Sequence, residues 1–316
     1  MRAKMMMALT TSLLFSHAVH AGPLCSDGMR LPDHSGKQIV LVQDTLLFAT
    51  DNIQLDIDGS PSAYGVRDQG LEDICNGLGP LQPPECRGKN QGRCYAACRT
   101  AFAGWDGNLQ TLGDKMCSIG LGGGECQKPD VALQDAPRQE WFVSETTVRV
   151  APPEGISVPA WVKTQPAQLD SSALPYFVIP GKFRKAPWDA TPGDAGVIIH
   201  QPSGTEVAFI VGDVGGSLNE GSARLLANLR NIDHLPTTTT TNAFGDAVER
   251  LQEPLNGDFR VAIFRHTAPL LPKDRRGELS VLDKSAGEIT EWLSALVRDR
   301  LHAIGDSAHI VACTEP

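Results

Sequence analysis

The sequence predicts an α+β or mainly β fold, with a β-barrel as its core. Strand-like segments with alternating or β-branched apolar residues outnumber the helical ones. The chain also lacks the regular alternation of strands and helices that builds a parallel α/β sheet. The clearest helix, over 286–303, has its apolar residues at helical spacing. Together these observations favour a sheet-based fold with flanking helices.

The first 21 residues have the order of a secretory signal peptide. Arg2 and Lys4 precede an apolar run over 5–15, and Val19 and Ala21 stand at the −3 and −1 positions of a cleavage site. The run is too short to span a bilayer, and no later stretch approaches ~20 apolar residues. We therefore expect a chain that is secreted, extracellular or periplasmic, and free of membrane contacts.

The charge balance excludes one class of partner. The chain has 28 basic and 37 acidic residues, a net charge of −9, which becomes −9 − 2 = −11 when Arg2 and Lys4 are removed. Nucleic-acid phosphates need Lys and Arg, so nucleic-acid binding is not expected. An acidic protein attracts cationic partners or substrates, and the alternative is that the charge only maintains solubility.

Eight cysteines lie after the predicted cleavage site, six of them between Cys75 and Cys126. An even count in an exported chain predicts disulfides, with the pairing left open. A zinc site is disfavoured because the chain has no Cys-x-x-Cys pair and no His between His34 and His200. We expect no metal and no cofactor.

Before residue 136 the chain divides into three parts. These are the signal peptide (1–21), N-terminal strands of the main domain (22–64), and a cysteine-rich insertion (65–135). The segment 38–50 reads as one or two strands. The insertion is rich in Gly, Pro and Cys and has little periodicity, which indicates a segment held by disulfides rather than by a core. Within it, 93–102 is a candidate helix with Cys94 and Cys98 on one face.

Residues 136–316 are predicted to complete the main domain. Alternation and β-branched residues predict strands over 146–150, 174–179, 197–200, 206–211, 259–264 and 309–313. Leu225, Leu226 and Leu229 predict a short helix over 220–230. The five threonines at 237–241 are expected to form a loop.

Two acidic residues follow the predicted strand 206–211. Asp213 stands at its end, and Glu220 stands at the start of the next helix. Carboxylates on rigid elements are well placed for catalysis, and glycoside hydrolysis needs one protonated and one ionised carboxyl group. The competing interpretation is structural: Ser217 and Glu220 fit a helix capping box, and Asp213 fits a turn.

A second acidic pair, Asp56 and Asp58, would point the same way on a strand. An EF-hand calcium loop is excluded because its twelfth position, counted from Asp56, is Arg67 rather than Glu. The remaining interpretations are a binding role and a plain strand-to-turn Asp-Gly. Both stay open at this point.

Three segments in order resemble the glycoside hydrolase family 75 chitosanases. They are Asp-Ile-Asp-Gly with Ala-Tyr (56–64), Ser-Ala-Leu-Pro-Tyr-Phe-Val-Ile-Pro (172–180), and Ala-Phe-Ile-Val-Gly-Asp-Val-Gly-Gly with Gly-Ser (208–222). The resemblance covers 53–64 and roughly 170–301, and the cysteine-rich segment has no counterpart in it. Two departures stand out: Val rather than Thr follows Asp213, and the spacing from Asp213 to Glu220 is shorter.

The resemblance implies endo-hydrolysis of β-1,4-linked glucosamine in chitosan with inversion, and it assigns the catalytic positions to Asp213 and Glu220. With Glu220 near a helix N-terminus, the helix dipole would favour its anion, making it the base and Asp213 the acid. Asp56, Asp58 and Tyr176 are the expected substrate-binding residues, and the polysaccharide is the expected partner.

The Gly-Asp-x-Gly-Gly turn is also similar to the catalytic turn of murein lytic transglycosylases, which have six-stranded double-psi β-barrels. This resemblance favours that barrel type and adds peptidoglycan as a rival substrate. A non-catalytic secreted protein that binds a glycan or a protein through the cysteine-rich segment is the remaining alternative.

Overall fold

A closed six-stranded β-barrel with flanking helices forms the centre of the molecule, as the sequence predicts. The computed structural model describes residues 28–77, 91–106, 108, 111, 132–252, 254–271 and 280–315. The predicted signal peptide, residues 1–21, lies outside the described residues.

Twelve strands and six α-helices are formed by the described residues. The strands are β1 (Met29–His34), β2 (Lys37–Val42), β3 (Thr45–Asp56), β4 (Val148–Arg149), β5 (Tyr176–Pro180), β6 (Ala195–His200), β7 (Thr205–Gly215), β8 (Glu220–Ser222), β9 (Thr237–Thr241), β10 (Ala247–Leu251), β11 (Leu255–Phe264) and β12 (Ser280–Val281). The helices are α1 (Ile74–Gly77), α2 (Gln91–Ala103), α3 (Val158–Trp161), α4 (Ala223–Leu229), α5 (Ala286–Ile304) and α6 (Asp306–Thr314). Short 3-10 helices cover Gln165–Ala167 and Gly181–Arg184.

The barrel strands follow the order β3–β11–β6–β7–β5–β8, and β8 closes the barrel against β3. The pairings β5–β7 and β3–β8 are parallel and the other four are antiparallel. An up-and-down meander contains no parallel pairs, so this barrel is of a mixed type. The finer double-psi description stays a prediction.

Side-chain alternation divides the apolar residues into an inner and an outer group. On β5, Phe177 points into the barrel, where its ring lies 6.1 Å from that of Phe48 on β3 and 5.2 Å from that of Phe209 on β7. The neighbours Tyr176 and Val178 belong to the outer group, which packs beneath α5 and α6. The barrel is therefore filled with aromatic side chains, and ligand chemistry has to take place on its outside.

Several predicted elements are confirmed. The segment 38–50 forms two strands, β2 and β3, and α5 begins at Ala286 as expected. Its cap is a capping box made by Ser285 and Glu288, and Gly305 ends it in the left-handed conformation. The strand predicted over 146–150 is reduced to the two residues of β4.

Two other predictions are wrong. The segment 309–313 forms the helix α6 rather than a strand, because His309, Ile310 and Cys313 are spaced to bury one helical face against β3 and β11. The threonines at 237–241 form strand β9 rather than a loop, and this strand pairs with β10 in an exposed two-stranded ribbon.

The described part of the cysteine-rich segment contributes apolar side chains as well as a disulfide. Cys75 and Cys98 are bonded, and α2 confirms the predicted helix. Phe102 is buried, and its ring packs edge-on against Trp105. The segment is therefore held partly by a core, contrary to the expectation of disulfides alone. The side chain of Cys94, predicted to share a face with Cys98, lies outside the described part.

Among the described residues, no helix combines the length and the apolar character needed to cross a bilayer.

Candidate functional site

Carboxylates from three barrel strands meet on the outer face. The register places Asp213 of β7 and Glu220 of β8 opposite the same residue, Val178 of β5. Residues that face each other across a sheet point to the same side, and Val178 belongs to the outer group. Asp56, at the end of β3, pairs with Ser222 of β8 and so joins the same side.

A β-bulge turns Asp213 outward. Val211 faces Phe177, whereas Asp213 faces Val178, so Gly212 is the extra residue on β7. A side chain at Gly212 would collide with Tyr176, since an added Cβ would lie 2.6 Å from the Tyr176 Cβ. Asp213 therefore lies inside a strand, and the expectation that the strand ends before it is wrong. Bulges that re-aim a side chain are frequent beside active sites.

Asp58 joins the cluster through a tight turn after β3. Its backbone N–H donates to Asp56 Oδ1 at 2.9 Å. Gly59 follows with φ of +81°, and an added Cβ would lie 1.9 Å from the carbonyl oxygen of Leu169, so only glycine fits. The turn directs both carboxyl groups toward Asp213. The carboxylate oxygens of the three aspartates lie within 4.8 Å of one another.

The side chain of Tyr176 supports this turn. The side chain is fully buried, and its hydroxyl lies 2.7 Å from the main-chain oxygen of Asp58 and 3.1 Å from that of Asp56. A buried phenol cannot contact a polysaccharide. The prediction of Tyr176 as a substrate-binding residue is therefore wrong, and its role is to hold Asp56 and Asp58 in place.

Asp213 is anchored through one of its two oxygens. The backbone N–H groups of Thr147 and Val214 donate to Oδ1 at 2.9 and 2.7 Å, and the Thr147 hydroxyl donates to the same atom. Three donors to one oxygen fix the orientation of the whole Asp213 carboxyl group. Sequence reasoning missed Thr147, because the contact joins residues that are 66 positions apart and no local pattern reports it.

Thr147 belongs to a segment, residues 144–147, that crosses the cluster and that we call the strap. The Ser144 hydroxyl donates to Asp58 Oδ1 at 3.1 Å. Two glutamine side chains hold the strap backbone: Gln165 Oε1 accepts from the Ser144 N–H, and Gln168 Oε1 accepts from the Thr146 N–H. The strap therefore has fixed hydrogen-bond partners although it lies outside the barrel sheet.

Glu220 lies on a strand rather than at the start of a helix. β8 is only three residues long, and the following helix α4 begins at Ala223 with Ser222 as its N-cap. The Ser222 hydroxyl accepts from the Leu225 N–H at 3.1 Å. The interpretation of Ser217 and Glu220 as a capping box is therefore wrong, which leaves the Glu220 side chain available for another role.

Gly215 makes room for Glu220. An added Cβ at this position would lie 2.8 Å from Glu220 Oε2 and 2.9 Å from Val178 Cγ1. Burial raises the pKa of Glu220, the charge of Asp213 raises it further, and a hydrogen bond from Ser217 acts in the opposite direction. The Glu220 carboxyl group is thus biased toward its protonated form.

The aspartate pair is also biased toward protonation. Burial and then the charges of Asp58 and Asp213 raise the pKa of Asp56 well above its usual range. Burial and then the charge of Asp213 raise the pKa of Asp58 to about 7, although Tyr64 and Ser144 donate hydrogen bonds to it. In both cases the loss of solvation is the largest cause.

Positive charge is scarce around the cluster. Among the described residues, no Lys or Arg forms an ion pair with Asp56, Asp58, Asp213 or Glu220. Arg149 interacts electrostatically with Asp213, but its side chain is 2% exposed and pairs with Glu145. Two unit charges 4.8 Å apart repel by roughly 3.5 kcal/mol at an effective dielectric of about 20. The cluster therefore has to hold a proton or attract a cation.

A spacing below 4.8 Å suits a shared proton, a bound ammonium group or a metal ion equally well. No further feature of the described residues points to a metal, and the expectation of a metal-free, cofactor-free site stays a prediction. Two concavities of about 490 and 630 Å³ lie elsewhere, beside α4 and beside the C-terminus, and none of the four carboxylates lines either.

Comparison with known proteins adds no name to this site. The chain matches none of the protein-family models searched and no curated protein. The chemistry of the site must therefore be argued from its own residues.

Proposed function

We propose that this chain is a secreted glycoside hydrolase that cleaves β-1,4 glucosamine linkages by an inverting two-carboxylate mechanism. The observation that supports this most directly is the placement of Asp213 and Glu220 on either side of Val178, on one face of the barrel. Asp56 and Asp58 place two further carboxyl groups beside them. The resemblance of the chain to family 75 chitosanases agrees with this proposal but does not carry it.

The strand spacing supports inversion over retention. Asp213 and Glu220 are separated by two strand-to-strand steps of about 4.8 Å, so their backbones lie roughly 9–10 Å apart. Inverting enzymes place their two carboxyl groups ~6.5–9.5 Å apart, which leaves room for a water molecule, whereas retaining enzymes use ~5 Å. A pair two strands apart is suited to the longer distance.

The environments of the two carboxyl groups support a division of roles that is the reverse of the one expected from the sequence. Three hydrogen bonds fix Oδ1 of Asp213 and leave its other oxygen for a water molecule, whereas burial raises the pKa of Glu220. In the proposed reaction Glu220 donates its proton to the leaving glycosidic oxygen as the bond to C1 breaks. Asp213 takes a proton from the water molecule that forms the new bond to C1.

The close spacing of carboxyl groups that lack a Lys or Arg partner among the described residues supports an amino sugar as the substrate. Each glucosamine carries an ammonium group, which would relieve the repulsion among Asp56, Asp58 and Asp213 without a metal ion. An N-acetylated or neutral sugar brings no such charge. We therefore expect chitosan to be cleaved in preference to chitin.

Reducing-end release from soluble chitosan tests this proposal. Asp213→Asn and Glu220→Gln should each lower kcat by ~100-fold or more, since each removes a proton-transfer group. Glu206→Gln is the matched control, because Glu206 lies on the same strand β7 but outside the cluster. Circular dichroism should show that all variants are folded.

Three outcomes would contradict the proposal. Inert wild-type protein on chitosan, chitin and peptidoglycan would favour the non-catalytic binding protein. Peptidoglycan cleavage that needs Asp213 but not Glu220 would favour a lytic transglycosylase. A loss of activity in Glu206→Gln as large as in Asp213→Asn would mean that the cluster is not the active site.

A further inference from the structure

We infer that Thr147 is a positioning residue that anchors one carboxylate oxygen of Asp213 and so orients the free oxygen toward the substrate. The inference rests on the proposed function, because it assigns Asp213 the part of the base. No sequence motif pointed to Thr147, and the contact is visible only in the folded chain. Thr147 acts through Asp213 and does not itself touch the reacting atoms.

The geometry of the contact is specific to one oxygen. The Thr147 N–H and hydroxyl both donate to Oδ1 of Asp213, and the N–H of Val214 donates to the same atom. None of the described residues donates a hydrogen bond to Oδ2. One oxygen is thus anchored and the other is left for a water molecule or a substrate hydroxyl, as a general base requires.

The strap can act as a clamp because it is itself held in place. Gln168 is buried, and its Nε2 donates to the carbonyl oxygens of Val162 and Thr164. Its Oε1 accepts a hydrogen bond from the Thr146 N–H. On the other side of Thr147, Val148 starts β4, which pairs with β12. Thr147 therefore lies between two fixed points, and its hydroxyl has little freedom to leave Asp213.

Other charged and titratable groups face Asp213 from every side, and they set the background for any pH effect. These groups are Asp56 and Asp58 from β3 and its turn, Glu220 from β8, Tyr176 from β5, and Arg149 from β4. Because the charge of Asp213 acts on Asp56, Asp58 and Glu220, these groups titrate together with it, and Thr147 variants are compared at one fixed pH.

The test compares Thr147→Val, which keeps the shape and the backbone donor but removes the hydroxyl, with Thr147→Ser, which keeps the hydroxyl. In Thr147→Val we expect kcat on chitosan to fall by roughly 10-fold or more with KM changed less than twofold, since one charge-assisted hydrogen bond is lost. Thr147→Ser should stay close to wild type.

A second readout does not depend on activity. In protein labelled with ¹³C at aspartate carboxyl groups, the Asp213 signal is assigned by its loss in Asp213→Asn. At one fixed pH its chemical shift should move in Thr147→Val, which loses the hydrogen bond from the hydroxyl, and stay at the wild-type value in Thr147→Ser. If Thr147→Val does not fold, Thr147→Ala replaces it, since alanine removes the same hydroxyl without adding a buried methyl group.

The two proposals fail in different ways. Inert wild-type protein refutes the proposed function, yet the Asp213 carboxyl signal still tests the Thr147 contact. An unchanged Asp213 signal and an unchanged kcat in Thr147→Val would overturn the inference. Equal losses in Thr147→Ser and Thr147→Val would also overturn it, because the hydroxyl would then not be what matters.

Discussion

Replacing Asp58 by asparagine should stabilise the protein at neutral pH and not at acid pH. The folded protein raises the pKa of Asp58 from 3.8 to about 7. Between these values the folded chain holds a proton that the unfolded chain releases, so stability falls as the pH rises through this window and levels off above it. Asparagine carries no charge at either end of the window and can still accept the hydrogen bond from Ser144.

The magnitude follows from the size of the shift. Moving the pKa from 3.8 to about 7, at 1.36 kcal/mol for each pH unit, corresponds to about 4 kcal/mol. This value is an upper bound on the cost of ionising Asp58 in the folded state. The repulsion is shared with Asp56 and Asp213, and Asp58 is partly accessible to solvent, so we expect a gain of about 1–3 kcal/mol at pH 8. At pH 4 the gain should be near zero or negative.

Thermal unfolding of wild type and Asp58→Asn at pH 4, 6 and 8 checks this prediction. A gain of 1 kcal/mol corresponds to roughly 2–4 °C in Tm for a domain of this size. Asp33→Asn on the exposed part of β1 controls for the change in net charge. A difference between wild type and Asp58→Asn that is the same at all three pH values would refute the reasoning, because it would show that the charge of Asp58 costs the folded state nothing.

Two further predictions concern the residues around Glu220. Gly215→Ala should displace the Glu220 carboxylate and lower kcat by ~10-fold or more, because misplacement by ~1 Å is enough to slow catalysis strongly; Gly216→Ala, where an added Cβ meets nothing within 4 Å, should leave kcat unchanged. An unaffected Gly215→Ala enzyme would argue against Glu220 as the acid. Ser222→Ala should cost about 2 kcal/mol in urea unfolding, because its fully buried hydroxyl caps α4 and also accepts from the Tyr176 N–H. A loss below 0.5 kcal/mol would contradict this account of the cap.

Sequence patterns predicted the helices and strands whose stability depends on residues nearby in the chain. The helix α5 has its own capping box and its own terminal glycine, so its bounds can be read from the chain. Strands β5, β6 and β11 likewise appear as apolar or β-branched runs. The helix α6 was misassigned because His309–Cys313 is rich in β-branched and alternating residues, and only packing against the barrel decides its conformation.

The sequence predicted which residues belong to the candidate site better than it predicted how those residues are arranged. Asp213 and Glu220 were recognised as a pair, but the conformation of Glu220 depends on β8, whose three residues form a strand only through pairing with β3 and β5. The bulge at Gly212 and the contact of Thr147 with Asp213 also join distant parts of the chain. Residues whose placement depends on such pairings carry no periodic signal for sequence reasoning to detect.

The strand β8 closes the barrel and carries Glu220, so these two properties cannot be lost separately. If β8 detaches from β3, the barrel loses its shortest strand, and Glu220 leaves its position opposite Val178 in the same event. If the proposed function holds, heating should abolish turnover at the temperature where the amide protons shared between β3 and β8 lose their protection from exchange with solvent. Activity would then serve as a direct gauge of barrel closure, without any need for a spectroscopic probe.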